Sequence, residues 1–136
     1  MAKNNKKVFI TGASGHMGWA TFKEIYWNRP DLTISVLIRD SEKNHKLFDG
    51  YLNDDRVEIV WGDFGDYDAI LKGITGASYV LHIGGMVSPA ADYWPKRTLK
   101  TNVMAAENIV KAVKAQKNPD DITVVYIGTV AETGNR

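Results

Sequence analysis

The sequence contains no cysteine, and its three histidines, His16, His45 and His82, are scattered along the chain. Without cysteine the protein forms no disulfide, has no thiolate nucleophile and cannot build a cysteine-based zinc or iron–sulfur site. A surplus of either charge is also lacking, because 17 Lys and Arg residues nearly cancel 16 Asp and Glu residues. Such a chain lacks the excess positive charge that drives sequence-independent binding to nucleic acid or to an anionic membrane. We therefore expect no metal, no nucleic acid and no membrane among its partners.

Long hydrophobic runs are missing as well. The basic start of the chain is followed by only three apolar residues, Val8–Ile10, before Thr11 and Gly12. This run is far too short for a signal peptide or a membrane span, so we expect a cytoplasmic protein. The 136 residues, 44% of them hydrophobic and 24% charged, are enough for one domain with a modest core.

What is present is a regular alternation of strand and helix signals. Five apolar runs rich in β-branched residues predict strands at Val8–Ile10, Thr33–Ile38, Val57–Val60, Ser78–Ile83 and Thr123–Ile127. The runs are continuous, which is typical of parallel strands covered on both faces. Helices are predicted between them at Met17–Trp27, around Lys43–Leu52, at Tyr67–Lys72 with an end at Gly73, and at about Trp94–Ala115. This alternation predicts a doubly wound α/β domain with a parallel sheet of strand order 3-2-1-4-5.

Three glycines, Gly12, Gly15 and Gly18, lie where the first strand passes into the first helix. In a dinucleotide-binding turn the first glycine permits the tight bend, the second lets the backbone approach a pyrophosphate, and the third lets the helix pack closely. The free N–H groups of the helix N-terminus would then face the anion. A glycine-rich turn without a ligand is the alternative, but the position between strand and helix favours dinucleotide binding.

The Gly-x-x-Gly-x-x-Gly spacing resembles that of the short-chain dehydrogenase/reductase superfamily. Later motifs narrow the resemblance to its extended branch, the NAD-dependent epimerase/dehydratase and dihydroflavonol-reductase-like proteins. These motifs are Gly62-Asp63-Phe64, Val80-Leu81-His82-Ile83-Gly84-Gly85, Thr101-Asn102-Val103 and the segment from Val125 to Gly134. The resemblance implies a single NAD(P)-binding Rossmann domain over residues 1–136. It also implies that this is the N-terminal part of a longer protein, truncated before the sixth strand and without the C-terminal part that would bind a small-molecule substrate.

The resemblance also implies roles for individual residues. Asp63 would accept a hydrogen bond from the adenine amino group, with a turn or N-cap aspartate as the alternative. Asn102 would hold the long helix to the active-site backbone, with a solvent-facing helix residue as the alternative. His82, at the end of a buried strand, is interpreted as a structural histidine rather than a ligand or base. The cofactor-binding residues implied are Gly12, Ser14, Gly15, His16, Met17, Gly18, Arg39, Lys43, Asp63, Phe64, Ile83, Gly84, Gly85 and Asn102.

The choice of cofactor is expected at the end of the second strand, about 20 residues past the glycine turn. An acidic side chain there pairs with the ribose hydroxyls of NAD, whereas an arginine meets the 2′-phosphate of NADP. Arg39 occupies this position and Lys43 adds a second positive charge, which favours NADP. Asp40, one residue further on, keeps NAD as the alternative.

The family's chemistry needs a tyrosine with a lysine four residues later, and none of the six tyrosines has one. Thr129 matches the family's catalytic Ser/Thr and would orient the substrate oxygen. Two classes of function remain: part of an NADP-dependent oxidoreductase or an epimerase/dehydratase, or a non-catalytic module that binds or senses a dinucleotide. A reading frame that continued past Arg136 into a Tyr-x-x-x-Lys motif would decide for the enzyme. We expect no turnover from this chain alone.

The fourth predicted helix carries an apolar stripe at i, i+4 and i+7 spacing. The stripe consists of Leu99, Val103, Ala106, Val110 and Val113. In the family that this chain resembles, the matching helix forms half of a four-helix dimer interface. The resemblance therefore implies a homodimer through helix 94–115, with self-association weakened or altered because the other half of that interface is absent.

Overall fold

The computed structural model describes residues 6–85 and 93–128. Within these residues, strands and helices alternate along the chain. The elements are β1 (Lys6–Thr11), α1 (His16–Asn28), β2 (Leu32–Ile38), α2 (Glu42–Leu47), β3 (Val57–Trp61), α3 (Tyr67–Ile74), β4 (Tyr79–His82), α4 (Pro95–Lys114) and β5 (Thr123–Tyr126). Short 3-10 turns lie at Asp49–Tyr51 and Pro119–Asp121.

The five strands form one parallel sheet in the order β3-β2-β1-β4-β5. Thr11, the last residue of β1, is in register with Leu37 of β2 and with His82 of β4. The carboxyl ends of these strands therefore lie level at one edge of the sheet. The strand order reverses between β1 and β4, which is where a doubly wound sheet opens a crevice for a ligand. The predicted α/β class, strand direction and strand order are confirmed.

The core consists of one apolar layer on each face of the sheet. Val8 and Ile10 of β1 pack in the layer that includes Phe22 of α1. Phe9, between them, packs in the opposite layer with Ile70 of α3 and with residues of α4. Because both faces of β1 are covered at Val8, Phe9 and Ile10, each of these positions favours an apolar side chain, which explains the continuous hydrophobic run.

The sequence predicts that the third helix ends at Gly73, and this prediction is wrong. α3 continues through Gly73 to Ile74. A Cβ atom at Gly73 would lie only 2.3 Å from Cε1 of Phe9, and the Ser35 hydroxyl donates a hydrogen bond to the Gly73 carbonyl at 2.7 Å. The glycine therefore lets α3 pack closely on the sheet and does not terminate the helix.

The long helix α4 is confirmed, but most of its predicted apolar stripe points away from the sheet, and within the stripe Val113 packs against the core. The buried residues are Ala105, Ile109 and Ala112, whose mostly small side chains allow a close approach. Leu99 and Val103, from the stripe, are 66% and 45% exposed. The helix thus has a second, outward apolar face.

Two further predictions need correction. The predicted second helix is interrupted: α2 ends at Leu47, and a separate 3-10 turn follows at Asp49–Tyr51. The continuous apolar run of the fifth strand predicts that both of its faces are covered, yet all four residues of β5 are exposed. β5 lies at the edge of the sheet and pairs only with β4 among the described strands, so its β-branched side chains are not enclosed.

Candidate functional site

The turn between β1 and α1 lies directly against the end of β4. Gly12 has a φ of +74°, and a Cβ atom there would lie 2.6 Å from both N and Cα of Gly84. The Gly15 amide donates a hydrogen bond to the Gly12 carbonyl at 3.0 Å, which closes the turn. Any side chain at Gly12 would both strain the backbone and collide with β4, so the position requires glycine.

Gly18 lies in the first turn of α1 and packs against the same glycine turn. A Cβ atom at Gly18 would lie 1.8 Å from the Gly12 carbonyl oxygen and 2.9 Å from Cα of Ala13. The surrounding atoms are all backbone and have no side-chain torsion through which to move aside. The first turn of α1, the glycine turn and the end of β4 therefore contact one another directly through backbone atoms.

The N-terminus of α1 is open to an anion. Its N-cap, Gly15, is extended and has no side chain to accept from the first helical N–H groups, and the first turn holds no acidic residue. Gly15, His16 and Met17 are exposed, while Ser14 is half-buried. At turns of this kind, unpaired N–H groups and the positive end of the helix dipole bind phosphate.

A buried hydrogen-bonded chain ties the ends of β1 and β4 together. Thr11 Oγ1 lies 2.7 Å from Nδ1 of His82, and the Gly84 amide donates to Thr11 Oγ1 at 3.0 Å. The His82 ring also packs against the rings of Phe64 and Tyr126. Burial lowers the pKa of His82 below its ordinary value, so the imidazole is neutral near pH 7. These contacts are those of a structural histidine.

We expect this histidine to make folding stability depend on pH. The unfolded chain titrates His82 near the ordinary pKa of about 6.5, whereas the folded chain resists protonation. Between these two pKa values the unfolded state binds more protons than the folded state. The free energy of unfolding is therefore highest above about pH 6.5 and decreases as the pH falls below that value. Chemical denaturation at pH 7.5 and 5.5 measures this loss. His82→Gln should reduce the pH dependence, whereas His16→Gln, at an exposed position, should retain it; equal pH dependence in both variants would contradict the assignment.

The end of β2 is held by a set of contacts with α2. Ser41 caps the helix by accepting from the Asn44 amide at 3.2 Å, and the Asn44 side chain donates to the Arg39 carbonyl at 2.9 Å. Asp40 accepts a hydrogen bond from Nε2 of His45 at 2.6 Å. The Arg39 side chain is exposed, as is Lys43. Within residues 6–85 and 93–128, no acceptor binds the Arg39 guanidinium.

The loop after β3 brings Phe64 to the glycine turn. A Cβ atom at Gly84 would lie 2.7 Å from Cζ of Phe64, and the Phe64 carbonyl accepts from the Asn108 side chain at 2.7 Å. Asp63 accepts from the Gly65 amide at 2.8 Å, which is the turn contact that the sequence left as its alternative. Its expected bond to adenine stays a prediction.

Asn102 lies beside the backbone at the end of β4. A Cβ atom at Gly85 would lie 3.3 Å from Oδ1 of Asn102, so the asparagine side chain faces this backbone and not only solvent. The structure thus brings Gly12, Gly84, Phe64 and their neighbours together, with Gly85 and Asn102 alongside. Arg39 and Lys43 lie separately, at the β2 end. Thr129 lies outside the described residues.

Sequence reasoning missed several residues that position the site. These are Thr11, Asn44, His45, Asn108 and Trp61, whose ring stacks on that of His45 with centroids 4.0 Å apart. Their roles depend on contacts across the sheet or with a helix, and no spacing in the sequence signals them. Among the described residues, no group of three or more His, Asp or Glu side chains is placed to hold a metal ion. None of the described helices is both long and apolar enough to cross a membrane.

Comparison with known proteins identifies a family and individual relatives that this chain resembles. The NAD dependent epimerase/dehydratase family model matches residues 8–136. The chain is 26% identical over 117 residues to the UDP-glucose 4-epimerase of Rickettsia bellii (strain RML369-C), covering 83% of this chain and 34% of that protein. It is 27% identical over 110 residues to the UDP-N-acetylglucosamine 4,6-dehydratase (inverting) of Campylobacter jejuni, covering 80% and 33%. The chain therefore spans about a third of the length of these relatives.

Solved structures share the fold. Pen from Bacillus thuringiensis superposes with a TM-score of 0.81 at 24% identity, covering 98% of this chain and 41% of that one. A variant of uronate dehydrogenase from Agrobacterium tumefaciens, complexed with NAD, gives 0.64 at 19% identity, covering 91% and 41%. A wide-type short-chain dehydrogenase/reductase from Veillonella parvula, in complex with NADP, gives 0.66 at 17% identity, covering 95% and 50%. With the family match, these neighbours support a nicotinamide dinucleotide cofactor and do not distinguish NADP from NAD.

Proposed function

Because the chain belongs to the NAD-dependent epimerase/dehydratase family, we propose that it is the nicotinamide-dinucleotide-binding portion of an oxidoreductase or epimerase/dehydratase. The observation that carries this proposal is the glycine turn, where Gly12 and Gly84 meet at backbone distance and the α1 N-terminus stays open. A nicotinamide ring supplies hydride-transfer chemistry when bound, and the protein supplies its position and electrostatics. The family match favours this function over a non-catalytic module.

In this proposal the cofactor's pyrophosphate binds at Ser14, Gly15, His16 and Met17. The N-terminus of α1 suits a pyrophosphate, because the exposed N–H groups of its first turn have no side-chain cap and the turn contains no acidic residue. Asp63 and Phe64 lie at the adjacent β3 end. The segment after β4 lies against this turn and consists of Ile83, Gly84 and Gly85, with Asn102 beside it. Thr129, which the family resemblance assigns to orienting the substrate oxygen, keeps that role as part of the proposal.

We further propose that the cofactor is NADP rather than NAD. Arg39 presents an exposed guanidinium at the β2 end, and no described residue neutralises it. Asp40, the residue that would favour NAD, already accepts a hydrogen bond from His45. A free guanidinium beside an engaged carboxylate suits a 2′-phosphate better than ribose hydroxyls.

Replacing Arg39 by aspartate is expected to invert this preference. A hydrogen bond to a charged group contributes about 1.5–3 kcal/mol, so NADP affinity should fall about tenfold or more. NAD affinity should hold or rise, because the new carboxylate accepts from ribose hydroxyls. Isothermal titration calorimetry with each dinucleotide measures both. Lys114→Asp makes the same change in charge at the far end of α4 and should leave the ratio of affinities unchanged; equal wild-type affinities for NADP and NAD would refute the role of Arg39.

The partner proposed for α4 is a second copy of the chain. Leu99, Val103 and Val110 form an exposed apolar face on this helix, with Val110 51% exposed. We expect weak, concentration-dependent self-association, measured by sedimentation velocity. Val103→Glu should shift the distribution toward monomer, while Lys100→Glu, which removes no apolar contact, should shift it less. A strictly monomeric wild-type chain at high concentration would contradict this assembly.

A further inference from the structure

Asp40 is hydrogen-bonded to His45, and the His45 ring is stacked on Trp61. Nε2 of His45 lies 2.6 Å from Oδ1 of Asp40, and because a carboxylate only accepts, His45 donates this hydrogen bond. The His45 ring is stacked on the Trp61 ring with centroids 4.0 Å apart and planes 19° apart. Trp61 is the last residue of β3 and is in register with Ile38 at the end of β2. The indole therefore lies beside the position from which Arg39 and Asp40 leave the sheet.

The backbone around this pair is fixed as well. Asn44, which is buried, holds the Arg39 carbonyl, and Ser41 caps α2. These contacts set where α2 starts and so place His45 one turn into the helix, within reach of the preceding Asp40. The two side chains remain accessible, with Asp40 75% and His45 49% exposed. The pair thus lies on a turn that is fixed by hydrogen bonds, at a surface that a ligand can reach.

We propose that His45 is a specificity-determining residue that favours a 2′-phosphorylated dinucleotide by holding the Asp40 carboxylate; this inference rests on the proposed function. An unheld Asp40 would accept hydrogen bonds from the ribose hydroxyls of an unphosphorylated dinucleotide and would repel a 2′-phosphate. With one oxygen engaged by His45, the carboxylate is a poorer acceptor for ribose and its charge is partly offset. Arg39 then acts on the phosphate with less competition from its neighbour.

His45→Phe tests this inference, because it keeps a ring against Trp61 and removes the donor to Asp40. Calorimetric titration of the full chain with NADP and with NAD gives the ratio of the two dissociation constants. The hydrogen bond from His45 to Asp40 is solvent-exposed and acts on the ligand only through Asp40, so we expect the preference for NADP to fall about two- to fivefold, which corresponds to about 0.4–1 kcal/mol. His45→Gln, whose amide N–H donates to Asp40, should restore most of the ratio. Thermal melts of both variants report any loss of fold.

An Asp40→Asn background supplies the matched control. If His45 acts through the Asp40 charge, His45→Phe leaves the NADP to NAD ratio unchanged in that background. A drop of equal size in both backgrounds, or no drop in either, would overturn the inference while leaving the proposed function intact. A folded wild-type chain that binds neither dinucleotide would overturn both.

Discussion

Replacing Gly18 by alanine is expected to abolish dinucleotide binding and to destabilise the fold. The added methyl carbon would lie 1.8 Å from the Gly12 carbonyl oxygen and 2.4 Å from the Gly12 carbonyl carbon. Relief requires either that α1 moves away from the sheet or that the turn refolds. Overpacking of this kind costs about 1–3 kcal/mol or more, which exceeds the gain of about 1 kcal/mol in helix propensity from glycine to alanine. The turn that would bind the pyrophosphate would be displaced in either case.

The loss is measured as a lower midpoint of urea denaturation together with the loss of calorimetric binding. Gly50→Ala is the matched control, because a Cβ atom at Gly50 meets nothing within 4 Å. That variant should fold and bind as the wild type does. A Gly18→Ala chain with wild-type stability would show that the close contact between α1 and the turn does not exist in solution.

Replacing Gly15 by valine is expected to remove binding while leaving the fold in place. Gly15 has a φ of −84° and a ψ of 176°, which any L-residue adopts, and a Cβ atom there would meet only the Gly12 carbonyl oxygen at 3.3 Å. Valine is a poorer N-cap than glycine, so about 1 kcal/mol or less of stability should be lost. Its branched side chain would, however, occupy the space next to the open N–H groups of α1. A pyrophosphate could then not approach the backbone, and dinucleotide affinity should fall about a hundredfold or more.

The measurement pairs a thermal melt with calorimetric titration of the same protein sample. Gly50→Val introduces the same side chain away from the turn and should retain binding. If Gly15→Val binds the dinucleotide as tightly as the wild type, the ligand does not contact the α1 N-terminus.

The sheet could be predicted from the sequence because each strand is signalled by its own neighbouring residues. Runs rich in β-branched residues, such as Thr33–Ile38, identify the buried strands, and the intervals between the runs leave room for crossover helices. What failed were statements that depend on packing. Gly73 looks like a helix stop in the sequence, but Phe9 from a distant strand decides its role. The outward face of α4 is as apolar as the inward one, so periodicity alone could not show which face meets the sheet.

The candidate site divides in the same way. The glycine turn is a contiguous motif between a strand and a helix, so Gly12, Gly15 and Gly18 could be chosen from spacing. The bond between Thr11 and His82 joins residues 71 positions apart and follows only from the register of β1 with β4. The link between Asp40 and His45 also depends on where α2 begins. Sequence therefore predicted the glycine turn that we propose faces the cofactor, whereas the side chains that hold this turn in place could be identified only from the structure.

Calorimetric titration of the wild-type chain with NADP tests the central claim, that the turn between β1 and α1 binds a nicotinamide dinucleotide. We expect saturable binding of one NADP per chain, with weaker binding of NAD and with a rise in melting temperature that grows with ligand concentration. A folded chain that gives no heat of binding and no shift in melting temperature with millimolar concentrations of either dinucleotide would contradict the account.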